Sequence, residues 1–317
     1  MKHANISIFV PHEGCKMRCT FCNQNAITGV VTASDIEESV NKASDPVAEI
    51  AFFGGSFTLI EREYMLRLLD CAKEQIDKGK ASAIRMSTRP DGINDEILTL
   101  LKNYPISVIE LGCQSMDDDV LAANRRGHNA RCVKDACALI KRYGFGLGLQ
   151  MMTGLYKSTP QKDLFTADEI VKLSPDCVRI YPAVVIENTE LEFLYKRGEY
   201  RPQTVEEAVE LAATVYEKFL SENINVIRVG LHTVEDFVAG PYHPAFGEMV
   251  QSKMMLNRAL SQMEGKGDYE IYVAENFISK MVGQRRLNIE ILQNSGYNCT
   301  VYKKDLPPFC VQVKKCI

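Results

Sequence analysis

No stretch of eighteen consecutive apolar residues occurs in this chain, which excludes a membrane-spanning helix. No signal-peptide core with a cleavage site follows Met1–Asn5, so the chain reads as cytoplasmic, with no membrane partner. Charge of one sign is also lacking. The 37 Lys and Arg residues face 41 Asp and Glu, a net charge of −4, which excludes a chain that binds nucleic acid over its whole surface. The exception is local, because residues 251–317 hold ten basic side chains against six acidic ones. Low-complexity segments and internal repeats are missing, apart from a strand–helix alternation. With 317 residues, 46% of them apolar, the chain can build one large α/β domain and a small appendage.

Cysteine, by contrast, is plentiful at 11 residues. Without an export signal these argue against a disulfide framework. Cys71, Cys113, Cys137 and Cys177 lie in apolar periodic segments and read as small buried hydrophobes.

Apolar β-branched runs at 6–10, 48–54, 82–88, 107–113, 146–152 and 177–183 alternate with segments of helical period. The latter are 35–43, 61–78, 93–103, 117–124 with 130–143, 163–173 and 204–222. This order predicts a parallel sheet with right-handed crossovers, a partial (β/α)6-type barrel over 1–232, with a seventh strand at 225–230. An open doubly wound sheet is the alternative. Polar and glycine-bearing residues follow the strands: Gly54-Gly55-Ser56, Ser87-Thr88-Arg89, Gln114-Ser115, Thr153-Gly154 and Tyr181-Pro182. In a barrel these loops would meet at the C-terminal mouth, where such folds place their sites. A connecting loop and helix are expected over 233–265, the helix at about 247–264. A module over 266–317 then reads strand 269–273, helix 275–281, turn 283–286, helix 287–294 and strand 298–302, with Gly296 as a helix cap.

Just after the first strand stand Cys15, Cys19 and Cys22, in the spacing C-x3-C-x2-C. Three thiolates are one short of the usual complement for a cubane iron–sulfur cluster, and the iron left open can bind and act on a small molecule. Structural zinc is the other reading; it wants four ligands, and His12, or His3, could complete the set. Phe21 could pack on an adenine ring or simply fill the loop.

The segment Gly14-Cys15-Lys16-Met17-Arg18-Cys19-Thr20-Phe21-Cys22-Asn23 resembles the signature of the radical-SAM superfamily. That resemblance implies a [4Fe–4S] cluster held by the three cysteines, with S-adenosylmethionine chelated to the fourth iron. It also implies one-electron cleavage to a 5′-deoxyadenosyl radical that abstracts hydrogen from substrate, and a reductant such as flavodoxin or ferredoxin. Further motifs recur in order: Phe52-Phe53-Gly54-Gly55-Ser56-Phe57-Thr58, Thr88-Arg89-Pro90-Asp91, Glu110-Leu111-Gly112-Cys113-Gln114-Ser115, Arg126-Gly127-His128, Arg179-Ile180-Tyr181-Pro182, Glu187-Asn188-Thr189-Glu190-Leu191 and Arg197-Gly198-Glu199-Tyr200. Over about residues 5–230 this set resembles the radical-SAM half of the Elongator catalytic subunit, which modifies wobble uridines in tRNA. The likeness implies that Gly54, Gly55 and Ser56 admit the methionyl amino group and that Gln114 and Arg126 contact the ribose and carboxylate of the cofactor. Gln150 and Tyr181 would line the same mouth as catalytic and cofactor-contacting residues. Ser87 stands where related enzymes often carry an acidic residue, and the Elongator acetyltransferase domain has no counterpart in these residues.

The tail, with Tyr269-Glu270-Ile271-Tyr272-Val273 and the turn Gly283-Gln284-Arg285-Arg286, resembles part of a KH domain whose second turn glycine is lost. Gly283, Arg285 and Arg286 would then form a nucleic-acid site, the arginines pairing with phosphates; otherwise this is a small cap with solvated arginines. Three functions fit: a radical enzyme acting on tRNA or other RNA, a radical enzyme on a small molecule, and a non-catalytic iron–sulfur or zinc protein.

Overall fold

The computed structural model describes residues 5–10, 15, 17–23, 30–43 and 45–316. Strand β1 (Asn5–Val10) turns Ile6, Ile8 and Val10 to one face and Ser7 and Phe9 to the other. There follow α1 (Ala33–Ala43), β2 (Glu49–Gly54), α2 (Arg62–Asp77), β3 (Ala83–Thr88), α3 (Asp95–Leu101) and β4 (Ile106–Gln114). The chain continues through α4 (Asp118–Ala123), α5 (Ala130–Arg142), β5 (Gly146–Thr153), α6 (Pro160–Leu173) and β6 (Cys177–Pro182). Then come β7 (Val185–Ile186), α7 (Glu190–Lys196), α8 (Val205–Ser221), β8 (Asn225–Val229), β9 (Phe237–Ala239) and α9 (Phe246–Leu260). Caps start several helices: Asn94, Asn129 and Thr159 each accept a backbone N–H of the following turn, and Thr204 with Glu207 forms a reciprocal capping box on α8.

Seven strands form one sheet in the order β1-β2-β3-β4-β5-β6-β8, every neighbouring pair parallel. The order never reverses, as it must in a doubly wound sheet. The sheet is therefore the predicted partial barrel, carrying the seventh strand. The edge strands β1 and β8 do not pair, and one flank stays open. The outer face of the sheet is the apolar one. Ile50, Phe52, Ile84, Met86, Ile109, Leu111, Leu147, Val178 and Ile180 pack there against Leu68, Leu69, Leu98, Val133, Ile170 and Phe219 of the helices.

The inner face is polar. Register places Phe9 beside Phe53, Ser87 beside Glu110, Gly112 beside Gln150, Gln150 beside Arg179, and Arg179 beside Arg228. At its centre lies a buried ion network. Arg85 donates to Glu49 at 2.8 Å and to Glu110 at 2.9 Å, and Arg179 grips the same Glu110 through two bonds of 2.6 and 2.9 Å. Burial opposes ionisation of Glu110, but Arg179 and then Arg85 hold its carboxyl below the usual range.

The C-terminal module comprises β10 (Gly267–Val273), α10 (Ile278–Val282), α11 (Leu287–Asn294), β11 (Tyr297–Lys303) and β12 (Val311–Lys315). Its sheet runs β11-β10-β12, with β10 parallel to β11 and antiparallel to β12. The expected helix 275–281 is split, because Glu275–Phe277 forms a tight 3-10 turn before α10. Gly296 sits one residue past the cap Ser295 of α11 at φ 90°, where glycine ends a helix without strain. A second core fills this module from Tyr269, Ile271, Val273, Met281 and Leu292. Helix α9 joins the two bodies: Val250 and Met254 enter the large core, Met255, Leu256 and Ala259 the small one.

Candidate active site

The C-terminal ends of β2 to β5 open onto a cleft of about 130 Å³ lined by sulfur, glycine and a few polar groups. Cys15, Cys19 and Cys22 all face it, together with Phe21, Gly54, Gly55, Ser56, Ser87, Gln114, Arg126 and Gln150. Tyr181, expected at the mouth as a cofactor contact, lies outside the lining, as do Ser115, Thr153, Gly154 and Pro182 of the loops placed there from sequence. Tyr181 packs, as Phe21 does, against an apolar cluster of Val120, Met152, Leu155 and Ala183. Burial, opposed by Arg179, raises its phenol above the ordinary pKa.

The cysteine loop is pinned at its middle. The Thr20 hydroxyl donates to the Asn124 side chain at 2.8 Å, the Thr20 carbonyl accepts the Leu191 N–H at 2.7 Å, and Asn124 in turn donates to the carbonyls of Val120 and Tyr156. These bonds tie a short segment to α4 and to the N-terminus of α7. The Cys15 sulfur lies 3.4 Å from the Ser56 hydroxyl. Arg126 donates to the Cys19 sulfur at 3.0 Å and to the Gly112 carbonyl at 2.5 Å, and its guanidinium stands 5.9 Å from the Phe21 ring. Burial and the charges of Cys19 and Cys15, against Arg126, push the Cys22 thiol up to about 12.

Gly54 shows why glycine stands at the end of β2. Its φ is 106°, and a Cβ there would lie 2.5 Å from the Val10 carbonyl oxygen. Gln114 holds φ 65° at the irregularity where β4 leaves its register with β5. That conformation is strained for a non-glycine residue, and strain of this kind gathers at ligand-binding positions. Gln150 donates to Ser87 at 2.9 Å and to Glu110 at 2.9 Å, so the floor of the cleft is tied to the buried ion network.

Three lining residues were named in sequence motifs without being given a role: Thr88, Arg89 and Gly112. Arg89 clamps Asp91 through two bonds of 2.8 and 2.9 Å. The motif containing it is visible in the sequence, but its role needs the cleft. Nearby, burial with the charges of Arg126 and Arg89 lowers His128 to about 4, so it stays neutral.

These residues fit a cluster and its ligand. Buried Gln114 Oε1, Arg126 Nε and Arg89 Nη1 have no protein partner. Among the described residues no group of three or more His, Cys, Asp or Glu side chains is gathered tightly enough to hold a single metal ion. His12 and His3, offered as zinc ligands, lie outside the described residues, as do Gly14 and Lys16.

At the other end of the chain, Arg285 and Arg286 adopt left-handed conformations, with φ 49° and 65°, and are exposed without an ion-pair partner among the described residues. Gly283 turns the chain at φ 80°, its Cα so close to α11 that a Cβ would lie 2.9 Å from the Asn288 nitrogen.

A parallel half-barrel with three cysteines, paired glycines and orphaned polar groups at one mouth defines a cofactor-dependent enzyme of the β/α class. The Radical SAM superfamily profile matches residues 9–168 and the Radical_SAM C-terminal domain profile residues 175–255. The chain belongs to the radical SAM superfamily, and its cofactors are a [4Fe–4S] cluster and S-adenosylmethionine. It is 30% identical over 197 residues to the tRNA uridine(34) acetyltransferase of Methanocaldococcus infernus, covering 55% of this chain and 36% of that protein. It is also 30% identical over 232 residues to a putative methylthiotransferase of Methanocaldococcus jannaschii, covering 66% of this chain and 51% of the relative. The chain thus spans about a third to a half of the length of these relatives. Archaeal Elp3 of Methanocaldococcus infernus superposes with a TM-score of 0.61 at 24% identity, over 80% of this chain and 62% of that one, and shares the fold.

Proposed function

We propose that this chain is a radical enzyme that modifies RNA, with tRNA as its substrate. The observation that carries the reading is the 30% identity to a tRNA uridine(34) acetyltransferase over 197 residues. The exposed Arg285–Arg286 turn on the basic tail supports it, since paired guanidiniums suit a phosphate backbone. A cytoplasmic location and a small protein reductant belong to the same reading.

When bound, the cluster supplies the electron that cleaves S-adenosylmethionine and frees a radical for hydrogen abstraction. The chain's own residues do the rest. Cys15, Cys19 and Cys22 hold the cluster, and the Arg126 N–H at the Cys19 sulfur stabilises negative charge there. Gly54 and Gly55 leave room for close backbone approach of the cofactor. Gln114 and Arg126 offer their orphaned acceptor and donor to its polar atoms. Gln150, fixed by Ser87 and Glu110, presents the same atoms in every turnover.

Mass spectrometry of tRNA nucleosides from cells with and without the chain tests this. A uridine-derived nucleoside should disappear on deletion and return on complementation. An unchanged nucleoside profile would favour a small-molecule substrate, which the acidic remainder of the chain would tolerate equally.

A further inference from the structure

The inner face of the half-barrel carries one more cation than the chemistry above uses. Strand pairing sets Gln150 beside Arg179 and, just past a register shift between β6 and β8, Arg179 beside Arg228. Arg85 and Arg179 are neutralised by Glu49 and Glu110. Arg228 has no acidic partner among the described residues. Its Nε donates to the Gly230 carbonyl at 3.2 Å and its Nη2 to the Leu231 carbonyl at 3.0 Å, which aims the guanidinium without neutralising it. Burial, opposed by the Tyr181 hydroxyl, and the adjacent Arg179 hold its pKa below the ordinary value. His232 is lowered by burial and by the same two arginines, and an imidazole in either form supplies no negative charge to offset them. A half-buried guanidinium without a carboxylate carries a desolvation cost that the fold leaves unmet and that an incoming anion would meet.

The surroundings suit a particular anion. The flank between β8 and β1 is open. On β1, Phe9 is 48% exposed and tilts against Phe53 at 6.5 Å between ring centroids. Arg179 lies 4.9 Å from the Phe53 ring, which brings this aromatic wall next to the arginine that neighbours Arg228 across β6 and β8.

We propose that Arg228 anchors a phosphate of a nucleotide that enters through the open flank, with the base laid against Phe9 and Phe53. This inference rests on the RNA reading for its choice of anion. A guanidinium takes phosphate through two parallel bonds, and an exposed aromatic edge accepts any base by stacking.

Equilibrium dialysis of uridine 5′-monophosphate and of uridine against the anaerobically reconstituted chain tests it. Arg228→Gln keeps a donor for the two carbonyls and removes the charge; Arg228→Ala is the second variant, with iron content and circular dichroism checked for both. The wild-type chain should bind the monophosphate at least about tenfold more tightly than the nucleoside, as a charge-assisted pair requires. Both variants should lose that preference while uridine and S-adenosylmethionine bind as before. Equal binding of the two probes by the wild type, or an unchanged preference in the variants, overturns the anchor. Loss of S-adenosylmethionine binding in Arg228→Gln also overturns it, by assigning the arginine to the cofactor. The same variants expressed in cells lacking the chain separate the two failures. If deletion alters no tRNA nucleoside while the monophosphate still binds through Arg228, the RNA reading fails and the anchor stands for a free nucleotide. If Arg228→Gln binds as wild type and restores the nucleoside fully, the anchor fails and the RNA reading stands.

Discussion

Cys19 is the best-held of the three sulfurs, buried and gripped by Arg126. Cys19→Ala should lower iron in the reconstituted protein from about four per chain to background, because two thiolates cannot retain a cubane. Its circular dichroism should match wild type, since the site sits on a loop outside the large core. Asp163 makes a different prediction. Burial, only partly offset by Ser158 and the Gly154 N–H, raises its pKa to about 6. The folded chain therefore binds this proton more tightly than the unfolded chain. Stability contributed by the protonated acid is present below the unfolded pKa and is lost as pH rises from about 4 to about 6. Asp163→Asn should recover up to roughly 2–3 kcal/mol at pH 8 and little at pH 4, read from urea midpoints. The cysteine triad was legible in sequence because its ligands lie in one loop. Glu110 and Arg89 were visible only as parts of motifs. Glu110 meets its arginines 25 and 69 positions away, and no local pattern encodes that meeting.

At the level of elements, four strands are bound through one ion-pair network of two carboxylates and two arginines. Glu110 on β4 joins Arg85 on β3 and Arg179 on β6, and Arg85 reaches Glu49 on β2. Glu110→Ala leaves two buried guanidiniums under-neutralised and should cost about 3–5 kcal/mol in chemical denaturation. Gly54→Ala acts at the end of β2. The new methyl would strike the Val10 carbonyl and force the β1–β2 edge apart, so iron uptake should fall while thermal stability drops modestly. Full iron uptake in that variant would contradict the close-approach role. Long periodic elements were legible within a few residues, because an apolar stripe against a sheet writes itself into the sequence. The strands β7, β9 and β12 and the helix α7 were not. They span two to seven residues; the strands are defined by pairing partners far along the chain, and α7 is too short to carry a periodic stripe.

For the whole molecule, helix α9 carries two cores, so barrel and tail are one mechanical unit through it. If the tail grips RNA, Arg285→Glu with Arg286→Glu should weaken tRNA binding and flatten its salt dependence by about two phosphate contacts. Binding with an unchanged salt slope would leave the turn a solvated cap. The sequential strand order was implied by the alternation of strands and helices. The partial closure was implied as well; which edge strands flank the gap was not, because that is settled by curvature over the entire sheet. The whole account depends on a three-sulfur cluster with a coordination site open to S-adenosylmethionine. Anaerobic reconstitution followed by reduction in the presence of S-adenosylmethionine, with iron and 5′-deoxyadenosine quantified together, tests it most directly. The account predicts about four irons per chain and 5′-deoxyadenosine formation that Cys19→Ala abolishes. Stoichiometric zinc without iron, or a complete cluster that leaves S-adenosylmethionine intact, would contradict it.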